Sequence, residues 1–568
     1  MKAFASEMTS KAGLVLLAVF LPWSASVAQA PDTTKNVKLT GSAQTDLVSD
    51  RITGMGQNRP AWVNRLYLYP TLEFYGYKLG FTFLVSSEEK KTRQPMNRFG
   101  GDVQQEVGLA KGWMDVKLGD AHPKFSHYTL DGILVRGGSV DLNPGLLRMA
   151  VAMGRTQRAI EREEAGGLET VSPSFRQNLF AAKLGFGKKA GSHFDLNVLK
   201  VKDDPGSIES TGVATPRENA VFGTTGQLDF GGRFRMSGEW ALGVLTRDVR
   251  SGEVNLSSLS GFPTGVFKPR LSTQYGTAYT FGTELRFPSR KASGGLKADY
   301  RRVDQGFASL GSPNLLTDIQ GLTLQGDASL LQGLLGLRAG YEQTGDNVER
   351  LKPSTTRTTT WSGNLDLLPA RLPYLTVGYS AYGQKNDEAD DTLKVNNLTG
   401  ALTAASGVNF ALLGLRQNAS LSYSYQDFKD RRPLAQPGWD YKSQTGTWSH
   451  AVDFPFPISL GYSLGLTQTR SSGGDPREDL RTGSGEVGYR AFRDRLRTRV
   501  QYVQEKGTGT RLGLGLDQRK LTWRAGTFWS GERLNAGLTW ERILYDDRAV
   551  GTNSYDETVV TTTAGMRF

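Results

Sequence analysis

The chain has only four histidines, His122, His127, His193 and His450, and two of them share a short segment with Asp120 and Ser126. A histidine with an acidic neighbour and a serine is the grouping from which acyl-transfer sites are built. Such triads converge from separate strands, however, so residues 120–127 read first as a polar surface loop, with an outer-membrane hydrolase as the minor alternative. Gly483-Ser484-Gly485-Glu486-Val487-Gly488 spells a dinucleotide-binding fingerprint, yet it lies inside a strand pattern with no βαβ unit around it. Asp387, Glu388, Asp390 and Asp391 offer carboxylates to a divalent cation, but their spacing fits no calcium-loop template. A solvated loop, or contact with ions bridging lipopolysaccharide, is expected there. With no Cys in the chain, disulfides, thiolate metal sites, cysteine nucleophiles and c-type haem attachment fall away together. No catalytic residue, cofactor or metal is therefore expected.

The informative charges are those that alternate with apolar residues. From Asn64 to Ser86, Leu66, Leu68, Pro70, Leu72 and Phe74 alternate with Arg65, Tyr67, Tyr69, Thr71 and Glu73. After a turn at Tyr75-Gly76, Leu79, Phe81, Phe83 and Val85 alternate with Lys78, Gly80, Thr82 and Ser86. That two-residue period is a strand with one apolar face, and the pattern recurs to the last residue. Strands of this kind, joined alternately by short turns and long polar loops, are the signature of a transmembrane β-barrel.

Composition agrees. Gly at 68 residues, only 22 Pro and a hydrophobic fraction of 38% suit strands that need apolar residues at alternate positions. A mean hydropathy of -0.39 excludes a helical membrane protein and is ordinary for a barrel with a wet interior. The formal charge of +12 is spread along the chain rather than gathered into an arm, so it reads as lumen and rim charge and not as a nucleic-acid surface.

Lys2 and Lys11, the apolar run Ala12 to Trp23 and the small residues Ser24 to Ala30 match a secretory signal peptide, cut after Ala28. Residues 29–36 form a short periplasmic lead and 37–568 the barrel. The lead is too short for a plug domain, which sets a TonB-dependent receptor aside. The first strand is expected at Val37 to Val48, with a loop from Ser49 to Ala61. The clearest later strand follows Gly231-Gly232, with Phe234, Met236, Trp240, Leu242 and Val244 outward. Hairpins turn near 331–333, 368–373, 412–415, 455–457, 492–495 and 530–534, and a loop is expected at Glu505 to Gly509. Leu512, Leu514 and Leu516 then have one parity, and Trp523, Ala525, Thr527 and Trp529 the other, which predicts a bulge near Asp517 to Lys520.

The total is about 26 antiparallel strands, within two, in a single all-β barrel with long extracellular loops and short periplasmic turns. An even number returns the C-terminus to the periplasm. The terminal Phe568, on lipid-facing parity with Val560, Thr562, Ala564 and Met566, matches the insertion signal read by the barrel-assembly machinery.

On these registers Arg233, Arg235, Glu239, Glu284, Lys297, Asp299, Arg301, Arg338, Glu342, Glu486, Arg495, Arg497 and Arg499 point into the lumen. Charges of both signs line water-filled pores, and an excess of arginine implies a mild anion preference unless the charges pair with one another and brace the wall. Strands about 4.8 Å apart and tilted near 40° make 26 of them enclose a cylinder on the order of 50 Å across, too wide for side chains to fill. Loops must fold inward, a plug or periplasmic partner must occupy the space, or the space is open. Asp248 to Gln274 and Gly119 to Gly132 are the candidate infolded loops. The function expected is a porin-like outer-membrane channel or transporter for small hydrophilic solutes. The alternative is a secretion or assembly conduit with a partner protein in its lumen.

Several segments resemble a family of large, mostly uncharacterised outer-membrane β-barrel proteins of Bacteroidetes-like bacteria. They are Phe125-Ser126-His127-Tyr128-Thr129-Leu130 with Asp131-Gly132, Lys202-Asp203-Asp204-Pro205, Pro216-Arg217-Glu218-Asn219, and Tyr300-Arg301-Arg302-Val303-Asp304 continuing to Ser309-Leu310-Gly311. The resemblance implies a barrel in the outer membrane, in contact with lipid and lipopolysaccharide, and supplies neither a substrate nor a catalytic residue.

Overall fold

A strand with leucine, valine and phenylalanine on one face and charged or hydroxylated residues on the other needs a neighbour on each edge and an apolar medium on one side. The computed structural model describes residues 37–568 other than 55–59, 75–76, 89–92, 95, 106–111, 166–167, 189–190, 210–213, 255–266, 290, 435–439, 474–476, 512–513 and 550–552. The leader, the lead and the turn at Tyr75-Gly76 lie outside the described residues.

Twenty-six strands form one antiparallel sheet, as the alternation predicts, and the sheet closes on itself. The first strand, Val37–Thr53, pairs on one side with Trp62–Phe74 and on the other with the last strand, Tyr555–Arg567. That seam runs in register from Ser42 opposite Arg567 to Thr53 opposite Asp556. Phe568 extends it: its amide donates to the Gly41 carbonyl at 3.1 Å, and its carbonyl accepts from the Gly41 amide at 2.8 Å. A closed ladder leaves no edge whose N–H and C=O groups lack partners. Among the described residues no helix is long and apolar enough to cross a membrane.

The two faces differ chemically. Phe180, Leu184, Phe186, Trp240, Phe281, Leu421 and Leu464 are exposed on one. The adjoining residues Lys183, Glu239, Thr280 and Ser422 occupy the other, which is therefore the lumen. So large an exposed apolar surface is a liability in water and is what a bilayer solvates. Short turns gather at one end. Leu413 and Gly414 form a two-residue hairpin, both with positive φ (54° and 74°), the turn whose twist matches that of the strands it joins.

Three expectations are corrected. The loop placed at Glu505 to Gly509 is strand: Leu496–Arg511 pairs with Leu514–Ser530 without a register shift, from Arg511 opposite Leu514 to Leu496 opposite Trp529. There is accordingly no bulge at Asp517 to Lys520. Leu516 shares the inward parity of Gln518 and Lys520, while Leu512 lies outside the described residues. These strands run on past the lipid, and beyond it an apolar residue no longer reports which face it occupies. For the same reason the first strand continues beyond Val48 to Thr53. One further hairpin, Glu163–Ala165 with Leu168–Val171, forms a separate two-stranded sheet without any alternation long enough to announce it.

Leu421 and Ser422 are neighbours in sequence on opposite faces of one strand, Leu415–Asp430. Leu421→Arg should destabilise the barrel in lipid vesicles by about 2–4 kcal/mol, whereas Ser422→Arg should change it by about 1 kcal/mol or less, read from guanidinium unfolding.

Candidate functional site

The lumen is not lined uniformly. Between Leu147–Gln157 and Ala292–Val303 its long-loop half carries Ala152, Leu179, Ala181, Leu199, Val201, Val221, Ala241, Ala278 and Val303, all buried. Apolar residues on an inward face are stable only if something covers them, and here two loops do. Residues 122–134 and 304–318 leave the long-loop end and turn into the barrel, burying Tyr128, Leu130, Ile133 and Phe307 against this patch. The ring of Tyr128 meets that of Phe307 edge-on, 5.9 Å between centroids at 79°. The wall makes room with glycine: a Cβ at Gly243 would sit 2.7 Å from the Ala308 carbonyl oxygen, and one at Gly276 would sit 2.2 Å from the Phe307 nitrogen.

Polar groups set the position of these loops. The Glu239 carboxylate accepts from the Tyr128 amide at 2.7 Å and the His127 amide at 3.2 Å. The Tyr128 hydroxyl bonds to that of Thr280. Asn219 is fully buried and satisfied on both sides, its amide donating to the carbonyls of Val244 (2.9 Å) and Ala308 (3.0 Å) while its oxygen accepts from the Leu310 amide (2.8 Å). The loops also bind each other: the Asp131 amide donates to the Gly311 carbonyl at 3.0 Å, and the Ser309 hydroxyl to the Thr129 carbonyl at 2.7 Å. The neck of the second loop is tied by Asp304, whose carboxylate accepts from the Thr277 amide (2.9 Å) and hydroxyl (2.6 Å). Burial pushes the Asp304 carboxyl up, but the Thr277 donors and the Arg302 guanidinium outweigh it and hold it below the ordinary carboxylate range.

Of the two loops expected to fold inward, that at Gly119 to Gly132 does so. The described part of Asp248 to Gln274 goes the other way: Phe267 packs on Ala220, Val244 and Phe222, the lipid-facing parity, with the Lys200 ammonium 4.8 Å from its ring centre. Residues 304–318 were not anticipated. Their signal was in the strands that receive them, where Leu179 to Ala182, Val198-Leu199 and Ala220 to Phe222 are apolar on both parities.

The predicted lumen charges are mostly paired. Arg235 meets Asp229 at 2.9 Å and Glu284 at 3.8 Å; Lys297 meets Asp299 at 2.8 Å, Arg301 meets Glu342 at 3.3 Å, Arg338 meets Asp366 at 2.6 Å and Arg499 meets Glu486 at 3.0 Å. Arg497 donates to the Asp494 carbonyl at 3.2 Å. Arg233 and Arg495 belong to the short turns rather than the wall, because the chain reverses there before either strand begins.

The opposite half of the lumen is hydroxylated. Ser420, Ser449, Ser463 and Ser484 form one inward row across four strands, and Ser424, Thr445 and Thr467 another. Thr445 and Thr467 are 2.9 Å apart at their oxygens, and Ser463 and Ser484 are 2.7 Å apart.

The segments singled out for chemistry do not converge. Asp120 is held by Arg136 at 2.6 Å, Ser126 is buried and bonded to Thr129 at 2.6 Å, and the carboxylate beside His127 is Asp131 at 3.8 Å. His193 bonds the Gly191 carbonyl, and His450 lies among Trp448 and Tyr462 on the lipid-facing parity. Ser484 and Glu486 of the glycine-rich segment face the lumen from within a strand. Asp387 accepts from the Thr355 amide, Asp390 from Thr392, and Asp391 pairs with Lys394, so this loop turns its acids on local donors. Among the described residues no group of three or more His, Asp or Glu is arranged to hold a metal.

No family model and no curated protein matches the chain. Solved structures similar to it include the translocation pore of the P pilus usher PapC, at 11% identity over 93% of this chain and 99% of that one, TM-score 0.39. A mutant ferric enterobactin receptor, PfeA, of Pseudomonas aeruginosa is similar at 10% identity over 94% and 81%, TM-score 0.42. OccAB3 of Acinetobacter baumannii is similar at 13% over 69% and 99%, TM-score 0.31. At such values the barrel has to be argued from this chain's own strand pairing.

Two outcomes follow. Glu239→Ala leaves the amides of His127 and Tyr128 without an acceptor, a loss of about 1–3 kcal/mol, so hydrogen exchange at 125–131 should speed by roughly ten- to a hundredfold while the strands keep their protection. The stabilisation from Asp304 is complete above the ordinary carboxylate pKa of about 3.9 and is lost as pH falls through its lower folded value. Pepsin should therefore leave 304–318 intact at pH 4 and cut it increasingly as the pH is lowered further.

Proposed function

We propose that the chain is an outer-membrane channel for small hydrophilic solutes, narrowed on one side by its own loops and conducting along the hydroxylated side. The location is supported by the apolar exterior of a closed sheet, because no other medium solvates such a surface while leaving no sheet edge exposed. The single observation that carries the channel reading is the inward field of serine and threonine from Thr356–Leu367 to Arg477–Ala491, which none of the described loops covers with apolar contacts. Hydroxyls donate and accept without fixed charge, so they replace water around an uncharged polar solute at little cost.

The pairing of lumen charges supports weak ion selectivity. Where an arginine already has a carboxylate within about 3 Å, its field on a passing ion is largely cancelled.

Reconstitution into planar bilayers tests the reading. Steady conductance is expected, with a reversal potential close to zero in a KCl gradient. In the Gly243→Val/Gly276→Val double variant the new side chains would meet Phe307 and Ala308, unseat loop 304–318 and raise conductance severalfold. Silence from both forms, with another chain co-purifying, would mean that the lumen belongs to a partner protein and would overturn the channel.

A further inference from the structure

Strands from Thr356–Leu367 onward carry arginine and lysine at the long-loop end of the outer face, and many of these residues lie directly opposite one another. Arg357 faces Lys385; Lys442, Arg470 and Arg477 form one row across three strands; Arg481, Lys506 and Arg519 form the next. Their outward parity follows from continuity with Tyr502, Trp523 and Val500 on the same strands. Like charges directly opposite on one face of a sheet repel, and a neighbouring opposite charge relieves the repulsion. Arg470 has one, Asp479 at 2.6 Å. Among the described residues Arg481, Lys506 and Arg519 have no carboxylate within ion-pair distance. Asp546, opposite Arg519, is instead paired with Arg548 at 3.0 Å. Arg481 and Lys506 are exposed, and the Arg519 Nε is buried without a hydrogen-bond partner.

The height of the row decides what would satisfy it. Below it on the outer face come Gln504 and Leu521, then Tyr502 and Trp523 with ring centroids 5.6 Å apart, then Val487, Val500 and Ala525, and at the short-turn end Leu496 and Trp529. Ten residues separate Lys506 from Leu496. At about 3.3 Å per residue and a tilt near 40° that is roughly 25 Å of height, the thickness of the apolar band of an outer-membrane barrel. The row thus stands at the level of lipid headgroups, two outward rows above an aromatic belt, in the leaflet on the long-loop side.

Resting on the reading of this chain as a membrane-spanning barrel, we infer that Arg481, Lys506 and Arg519 bind the phosphate groups of a phosphorylated lipid whose acyl chains run down over Tyr502, Trp523 and Val500. Phosphate supplies what the row lacks: a compact anion with several acceptor oxygens, able to bridge three cations. A neutral headgroup would leave the repulsion in place.

The test uses the full chain in neutral maltoside detergent, with native mass spectrometry and thermal unfolding against three probes: bisphosphorylated lipid A, the same lipid with its phosphates removed, and inorganic phosphate. The phosphorylated lipid should bind at least tenfold tighter than its dephosphorylated form and raise the melting temperature, and inorganic phosphate alone should do neither. The triple variant Arg481→Gln/Lys506→Gln/Arg519→Gln should lose at least tenfold in affinity for the phosphorylated lipid. It should melt no lower than the parent when no lipid is present, since only repulsion has been removed. Arg497→Gln/Arg499→Gln, on the inner face, should bind the lipid as the parent does. Equal affinity for the two lipids, or unchanged affinity in the triple variant, would overturn the assignment, as would inorganic phosphate binding as tightly as the lipid. Insertion into neutral-lipid vesicles separates the two claims: failure to insert removes the membrane reading itself, whereas insertion without phosphate-dependent binding removes only this row.

Discussion

Backbone hydrogen bonding in hydrocarbon is the constraint from which the rest of this molecule follows. An unpaired N–H or C=O in lipid costs several kcal/mol, so a sheet whose exterior is apolar has to close, and closing it fixes the partner of every strand. The seam between Val37–Thr53 and Tyr555–Arg567 is where that requirement is met across the whole length of the chain, and Phe568 adds the last pair of bonds to it. Once the ladder is complete the side chains are free to specialise, outward for lipid and inward for water.

Closure by 26 strands leaves a difficulty of scale, because the interior is far wider than opposed side chains can span. The chain resolves this asymmetrically. One side of the wall is built like a soluble core: small inward residues and glycines receive two loops, and Glu239, Asn219 and Thr280 fix where those loops stop. The other side keeps serine and threonine facing open space. Packing and wetness are thus divided around the circumference rather than along the axis.

The outer surface is divided by height. Apolar and aromatic residues occupy the middle of the strands, and cations opposed to cations occupy the long-loop rim. The described part of the long loop after Phe234–Thr246 lies on the outside, where Phe267 covers lipid-facing parity beside Lys200.

Most of the architecture was legible because lipid imposes a period of two on each strand it touches, so that Phe234 to Val244 or Leu66 to Phe74 disclose both element and face. The same code lapsed where strands leave the bilayer, which is why Glu505 to Gly509 read as a loop and Leu516 as sharing a face with Trp523. Inward placement of Arg301, Arg338 and Arg499 was legible, but their carboxylate partners on adjacent or next-nearest strands were not. Residues 304–318 were hidden for a related reason: what holds them is an apolar patch assembled from many strands, and no local stretch records that assembly. The sequence by itself determined that there is a closed antiparallel barrel and which face of each strand meets lipid, because those depend on local alternation and on the cost of unpaired backbone. Only the tertiary structure decided which loops turn inward, which charges are neutralised and which stand opposed at the rim, because those depend on residues that register brings together from distant parts of the chain.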